Sequence, residues 1–151
     1  MEATAVVPEG RISPEDAGIW QDSQIAPLEL IVKFAHAQGT KIGIQLGHGG
    51  RKASTMAPWV HSDVALSRNA GTHVAQKEDG GWPDNVYSAS DIPFAKDYPK
   101  PIAMTEKDIQ YVGDAFISAI ERCKKAGFDF IELHGAHGYL IHNCKSSLLA
   151  S

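Results

Sequence analysis

Three histidines and a tyrosine fall within nine residues in the run Glu132-Leu133-His134-Gly135-Ala136-His137-Gly138-Tyr139-Leu140-Ile141-His142. Two imidazole N–H groups from this run, brought to one point, would form a site for a carbonyl oxygen or an oxyanion. Tyr139 could supply a proton beside them. A metal site made of His134, His137 and His142 is a rival reading, but the run lacks HExxH spacing and its glycines disfavour an aligning helix. A set of structural histidines is a third. A second polar run is Gln45-Leu46-Gly47-His48-Gly49-Gly50-Arg51-Lys52. The Gln45 amide offers a donor and an acceptor together, as reading a planar heterocycle requires, unless neighbouring backbone satisfies it. The glycine-rich turn after it could cradle a phosphate, yet it matches neither GxGxxG nor the Walker A pattern. His36, His48, His61 and His73 have no partner spacing and are expected in surface or turn roles.

The elements that must position these residues follow from periodicity. Glu2 to Val7 reads as a short apolar strand. From Asp22 or Ser23 as cap, apolar residues recur at Ile25, Leu28, Ile31 or Val32, and Ala35, a helical period closed by Gly39. Pro27 is tolerated in the first turn. Lys41 to Leu46 alternates, with Ile42, Ile44 and Leu46 on one face and Gly43 and Gln45 on the other. A second helix starts at Thr105, with Asp108 completing a variant capping box. Its predicted apolar face is Ile109, Val112, Phe116, Ile117 and Ile120, and Gly127 ends it. Phe128 to Leu133 is the next strand, with Phe130, Glu132 and His134 on one face. Strands alternating with helices specify a parallel α/β sheet, whose ligands gather at the carboxyl ends of the strands. Residues 47–101 break the rhythm and read as one long insertion, either a lid or a carrier of small elements. Trp59 and Trp82 are candidates to line that lid or to form its own small core.

Composition bounds the function. The chain has 151 residues, 43% hydrophobic and 21% charged, as expected of a single globular domain. A net charge of −4 argues against general affinity for nucleic acid or an anionic membrane. The densest apolar run, Leu28 to Val32, is far short of a bilayer span, and Met1 to Thr4 lacks signal-peptide features. Two cysteines, Cys123 and Cys144, provide neither a disulfide framework nor a CxxC site, so a reduced, cytoplasmic chain is expected. A complete (β/α)₈ barrel needs ~250 residues.

Several motifs stand in the right order for a known family. Glu2-Ala3-Thr4-Ala5-Val6, Pro8-Glu9-Gly10-Arg11-Ile12-Ser13, Gly18-Ile19-Trp20, Lys41 to Ala53, and Ala126 to His142 together resemble the old yellow enzyme family of FMN-dependent NAD(P)H oxidoreductases. The likeness is nearest to its thermophilic-like ene-reductase branch and fungal relatives. It implies a partial (β/α)₈ TIM barrel: residues 1–151 as one incomplete FMN-binding domain covering barrel strands two to four, with residues 47–101 inserted after strand three. It implies that Ala3 and Gln45 contact the flavin and that His134 and His137 hold the substrate carbonyl, His134 beside the cofactor. Tyr139 would be the proton-donating or substrate-contacting tyrosine. FMN is the implied cofactor and NAD(P)H the reductant, with hydride passed by ping-pong to a carbonyl-activated alkene. The family's first strand, its strands five to eight and its later phosphate-binding segments are not in this sequence. After His142 the chain departs from the family pattern as Asn143-Cys144-Lys145-Ser146. A truncated or mis-spliced gene product or a diverged fragment is therefore expected, inactive alone, its open sheet edges suited to a homo-oligomer or another partner. The alternative function is a non-catalytic remnant that at most binds a partner.

Overall fold

The computed structural model describes residues 1–62 and 72–149. The elements in chain order are β1 (Thr4–Ala5), α1 (Ile25–Ala37), β2 (Gly43–Gly47), α2 (Pro58–Ser62), β3 (Tyr87–Ser88), β4 (Ile102–Ala103), α3 (Glu106–Ala126), β5 (Phe130–Leu133) and α4 (Leu140–Leu149). The chain is mixed α/β, and both of its sheets are parallel. The central sheet has the order β1-β2-β5, with Thr4 opposite Leu46, Gly43 opposite Phe130 and Gln45 opposite Glu132. Helices α1 and α3 pack on one another over one face of that sheet.

Local chemistry explains the long helix. Thr105 accepts from the Asp108 amide while the Asp108 carboxylate accepts from the Thr105 amide, so two otherwise unpaired donors are satisfied reciprocally. Gly127 stops the helix in the left-handed region at φ 88°, which a β-carbon would make costly. The core joins Val6, Ile19, Leu28, Ile44, Leu46, Ala119, Cys123 and Ala126, which places Ile44 and Leu46 on the helix side as their alternation predicts.

Other expectations are corrected. Only Thr4–Ala5 of the predicted first strand is extended in the sheet, because Ala5 turns to bond residues 17 and 19 of the following loop. The cap before α1 is Gln21, paired with Gln24 around a single 3-10 turn, rather than Asp22 or Ser23. On α3 the buried stripe is Val112, Ala119, Cys123 and Ala126, whereas Ile109 and Ile117 are 56% and 62% exposed. Small residues on that stripe let the helix approach the sheet closely. The insertion at 47–101 carries short elements, α2 and β3 among them, and β3 pairs in parallel with β4 just beyond it. Within it the Trp82 indole donates to the Glu9 carbonyl at 2.9 Å and lies 4.5 Å under the Arg11 guanidinium, whereas Trp59 is exposed. His36 pairs with Asp129 and His73 with Asp97 at the surface. His48 is not a surface residue: it is 3% exposed. The expectation for the His61 side chain lies outside the described residues.

Candidate functional site

The inner face of the sheet, opposite α1 and α3, carries the polar residues. Gln45 and Glu132 face one another across β2 and β5, and the Gln45 amide donates to the Glu132 carboxylate at 2.7 Å. Gly43 and Gly47 flank Gln45 on β2, and the space left by their missing side chains is taken by the Phe130 ring over Gly43 and by the His134 side chain, 3.5 Å from where a Gly47 β-carbon would stand. Gln45, Gly43, Phe130, Glu132 and Met1 line an open hollow of about 450 Å³.

One step further along the strands stands the histidine cluster. His134, 7% exposed, is anchored by its backbone amide to the Leu46 carbonyl at 2.8 Å. Its ring meets those of His137 and Tyr139 edge to face, with centroids 5.1 and 4.8 Å away. His134 Nδ1 accepts from the Ala136 amide at 3.4 Å. In the neutral ring that bond leaves the proton on Nε2, making it a donor. Burial, then the charge of His137, push the His134 pKa down, and Glu132 opposes them. Burial also pushes the Tyr139 phenol up, so it keeps its proton at neutral pH. Among the described residues no hydrogen bond is made by His134 Nε2, the His137 ring or the Tyr139 hydroxyl. The three rings pack edge to face, a grouping of donors that suits a ligand oxygen.

The turn that carries them is held from several sides. His137 and Gly138 both have left-handed backbone, φ 57° and 73°. The Lys52 ammonium donates to the His137 carbonyl at 2.8 Å and sits 3.9 Å over the Phe94 ring. His142 Nδ1 accepts from the Gly138 amide at 2.8 Å, and the Asn143 side chain donates to the Gly138 carbonyl. The glycine-rich turn after β2 is packing rather than an open cradle. Gly50 sits at φ 58°, and a β-carbon there would stand 2.9 Å from the Leu140 nitrogen. Among the described residues no group of three His, Cys, Asp or Glu is arranged to hold a metal ion.

Ala3, His134 and Tyr139 thus share one crevice between the ends of β1 and β2, which is only water-sized at about 10 Å³. His137 joins them through its ring contacts, and Gln45 lies beside them on the open hollow. Glu132 lies on the face that parity along β5 gave it, and there it meets Gln45. Three contributors were missed by sequence reasoning: Lys52, Phe94 and the buried His48, whose roles depend on contacts made by the insertion.

The model of the NADH:flavin oxidoreductase / NADH oxidase family matches residues 1–148. An NADH:flavin oxidoreductase of Gibberella zeae is 52% identical over 143 residues, which cover 94% of this chain and 32% of the relative. An NADPH dehydrogenase of Bacillus licheniformis is 40% identical over 148 residues, 98% of this chain and 36% of the relative. The solved structure of TcOYE with pHBA superposes with a TM-score of 0.68 at 27% identity, covering 93% of this chain and 38% of that one. The chain therefore spans about a third of the length of the curated relatives it matches. It belongs to the NADH:flavin oxidoreductase / NADH oxidase family, the family of the old yellow enzymes, whose cofactor is FMN and whose reductant is NAD(P)H.

Proposed function

We propose that this chain supplies the ring-binding and oxygen-binding part of an FMN-dependent NAD(P)H oxidoreductase that reduces carbonyl-activated alkenes. Its three central strands correspond in this reading to barrel strands two to four. The observation that carries it is the packing of the His134 ring against those of His137 and Tyr139, one step along the strands from the Gln45–Glu132 pair.

The residues fit a flavin ring. Gly43 and Gly47 let the Phe130 and His134 side chains lie against the sheet on either side of Gln45, whose amide offers donor and acceptor to the edge of a heterocycle. Ala3 would meet the ring through its backbone at the head of β1, with His134 at its border. When bound, the flavin supplies hydride transfer from NAD(P)H to the alkene. This chain's own residues act on the substrate. His134 and His137 hold the carbonyl oxygen and stabilise the negative charge that grows there as hydride arrives. Tyr139, kept protonated by burial, stands within reach to return a proton. The left-handed turn at His137 and Gly138 sets the angle between the two imidazoles.

The test is an equilibrium titration of the chain with FMN, followed by quenching of flavin fluorescence. Saturable quenching that Gln45→Leu abolishes and Asp129→Asn, at the far end of β5, leaves intact is the expected result. Quenching unaffected by Gln45→Leu, or none at millimolar FMN, would overturn the reading in favour of a remnant without flavin function.

A further inference from the structure

The Gln45–Glu132 pair does more than fill the inner face. The two residues are direct partners in the β2–β5 register, so their meeting is built into the sheet. Their bond, 2.7 Å from Gln45 Nε2 to Glu132 Oε1, has one possible polarity. A carboxylate accepts and cannot donate, so only the amide orientation with nitrogen toward Glu132 makes the bond. The carbonyl oxygen and the second N–H are then left, in a set order, for whatever lies on this face. No other described side chain donates to or accepts from the Gln45 amide.

We propose that Glu132 is a positioning residue that locks the Gln45 amide in one orientation, so that Gln45 presents a fixed donor and acceptor order to a planar ligand with an imide edge. This rests on the reading of Gln45 as the ring-binding residue. The imide carries carbonyl oxygens on either side of an N–H, a pattern that an inverted amide would meet with like against like. Glu132 also acts on His134, two residues along the same face. Its charge favours the protonated imidazole against burial and His137, while Arg11 and Asp16 from the β1 loop and Tyr139 stand around the same crevice. One carboxylate thereby touches both halves of the site.

Glu132→Gln is the informative variant, because it keeps the shape while its own amide can donate as well as accept. Both orientations of Gln45 then become possible. In the labelled parent chain the two Gln45 amide protons should be widely separated, the carboxylate-bound one lying downfield. In E132Q that separation should collapse, and the His134 titration followed by its ring protons should move to lower pH. With the two orientations equally populated, FMN affinity should fall about twofold. Unchanged amide signals and an unchanged His134 titration would overturn the proposal, as would equal FMN affinity of parent and E132Q with Q45L binding none. FMN binding that Q45L leaves intact would instead sink the reading of Gln45, while the amide signals still report on Glu132. A thermal melt of E132Q matching the parent keeps a folding defect from mimicking either result.

Discussion

Asp129 and His134 stand at the two ends of one strand and are treated in opposite ways. At the start of β5 the Asp129 carboxylate accepts from the Ile42 amide at 2.9 Å, from Lys41 at 2.9 Å and from His36 at 2.8 Å. The Asp129 amide in turn donates to the Ile42 carbonyl. Led by the Ile42 amide, these donors hold its pKa well below the usual carboxylate range. At the other end the His134 ring has one weak local bond, and among the described residues the His137 ring and the Tyr139 hydroxyl have none. The incoming end is a latch that fixes β5 against β2 before the first ladder pair. The outgoing end leaves the hydrogen-bonding capacity of these rings largely unused among the described residues. Polar density alone does not separate a site from a scaffold; the presence or absence of protein partners does.

The largest effect that would break this contrast is on the outgoing end. If the proposed function holds, replacing His134 and His137 together by Ala in an FMN-loaded full-length barrel restored around this chain should slow enone reduction by about 10²–10³-fold, the usual effect of losing oxyanion donors. The thermal midpoint should fall only slightly, since the one hydrogen bond these rings accept among the described residues is the long one from the Ala136 amide to His134 Nδ1. A large drop in midpoint with little change in rate would make the cluster structural and void the comparison.

His48 is expected to be next in magnitude, and it sharpens the contrast because it lies at the outgoing end yet acts through stability. Burial lowers its pKa to about 4, and Nδ1 accepts from the Gly50 amide while Nε2 has no partner among the described residues. The unfolded chain takes up a proton near pH ~6.5, whereas the folded chain resists it until near 4. Stability from this residue is therefore complete above ~6.5 and falls as pH drops, by ~3 kcal/mol in all. Urea midpoints measured between pH 7 and 4 should show this slope, and His48→Phe should flatten it. A parent chain with no slope in that window would mean that water reaches the ring.

Much of this was legible because it is local. The Thr105–Asp108 box, the Gly127 stop and the alternation of Ile44 with Gln45 are decided within a few residues, and all three stand as read. The histidine cluster was legible too, as an unusual density at a strand end. What failed was decided at long range. Ile109 and Ile117 satisfy a helical period as well as Ala119 and Cys123 do, and only the position of α1 and the sheet selects the stripe. His48 looks like a turn residue until the Pro8–Gly10 turn closes over it; a β-carbon on Gly10 would stand 2.9 Å from its ring. Lys52 reaches the His137 carbonyl across 85 positions, a separation that sequence periodicity does not report.

The smallest effects test the incoming end. Asp129→Asn keeps the shape and one carbonyl acceptor but removes the charge that binds Lys41 and His36. Because the folded carboxylate holds its proton less tightly than the unfolded one, its contribution is present above pH ~4 and is lost as pH falls through and below that value. The variant should therefore be less stable than the parent at neutral pH and converge with it in acid, while FMN quenching stays unchanged. Lys41→Met should do almost nothing, since its side chain is 81% exposed and the pair is screened by water and salt. The ranking follows from geometry: the Ile42 amide is held by the strand itself, whereas the Lys41 ammonium must be ordered from a flexible stem. Melts of both variants at low and high salt decide the matter. If Lys41→Met cost as much as Asp129→Asn, and salt erased both losses, the start of β5 would be an ionic network and not a backbone latch.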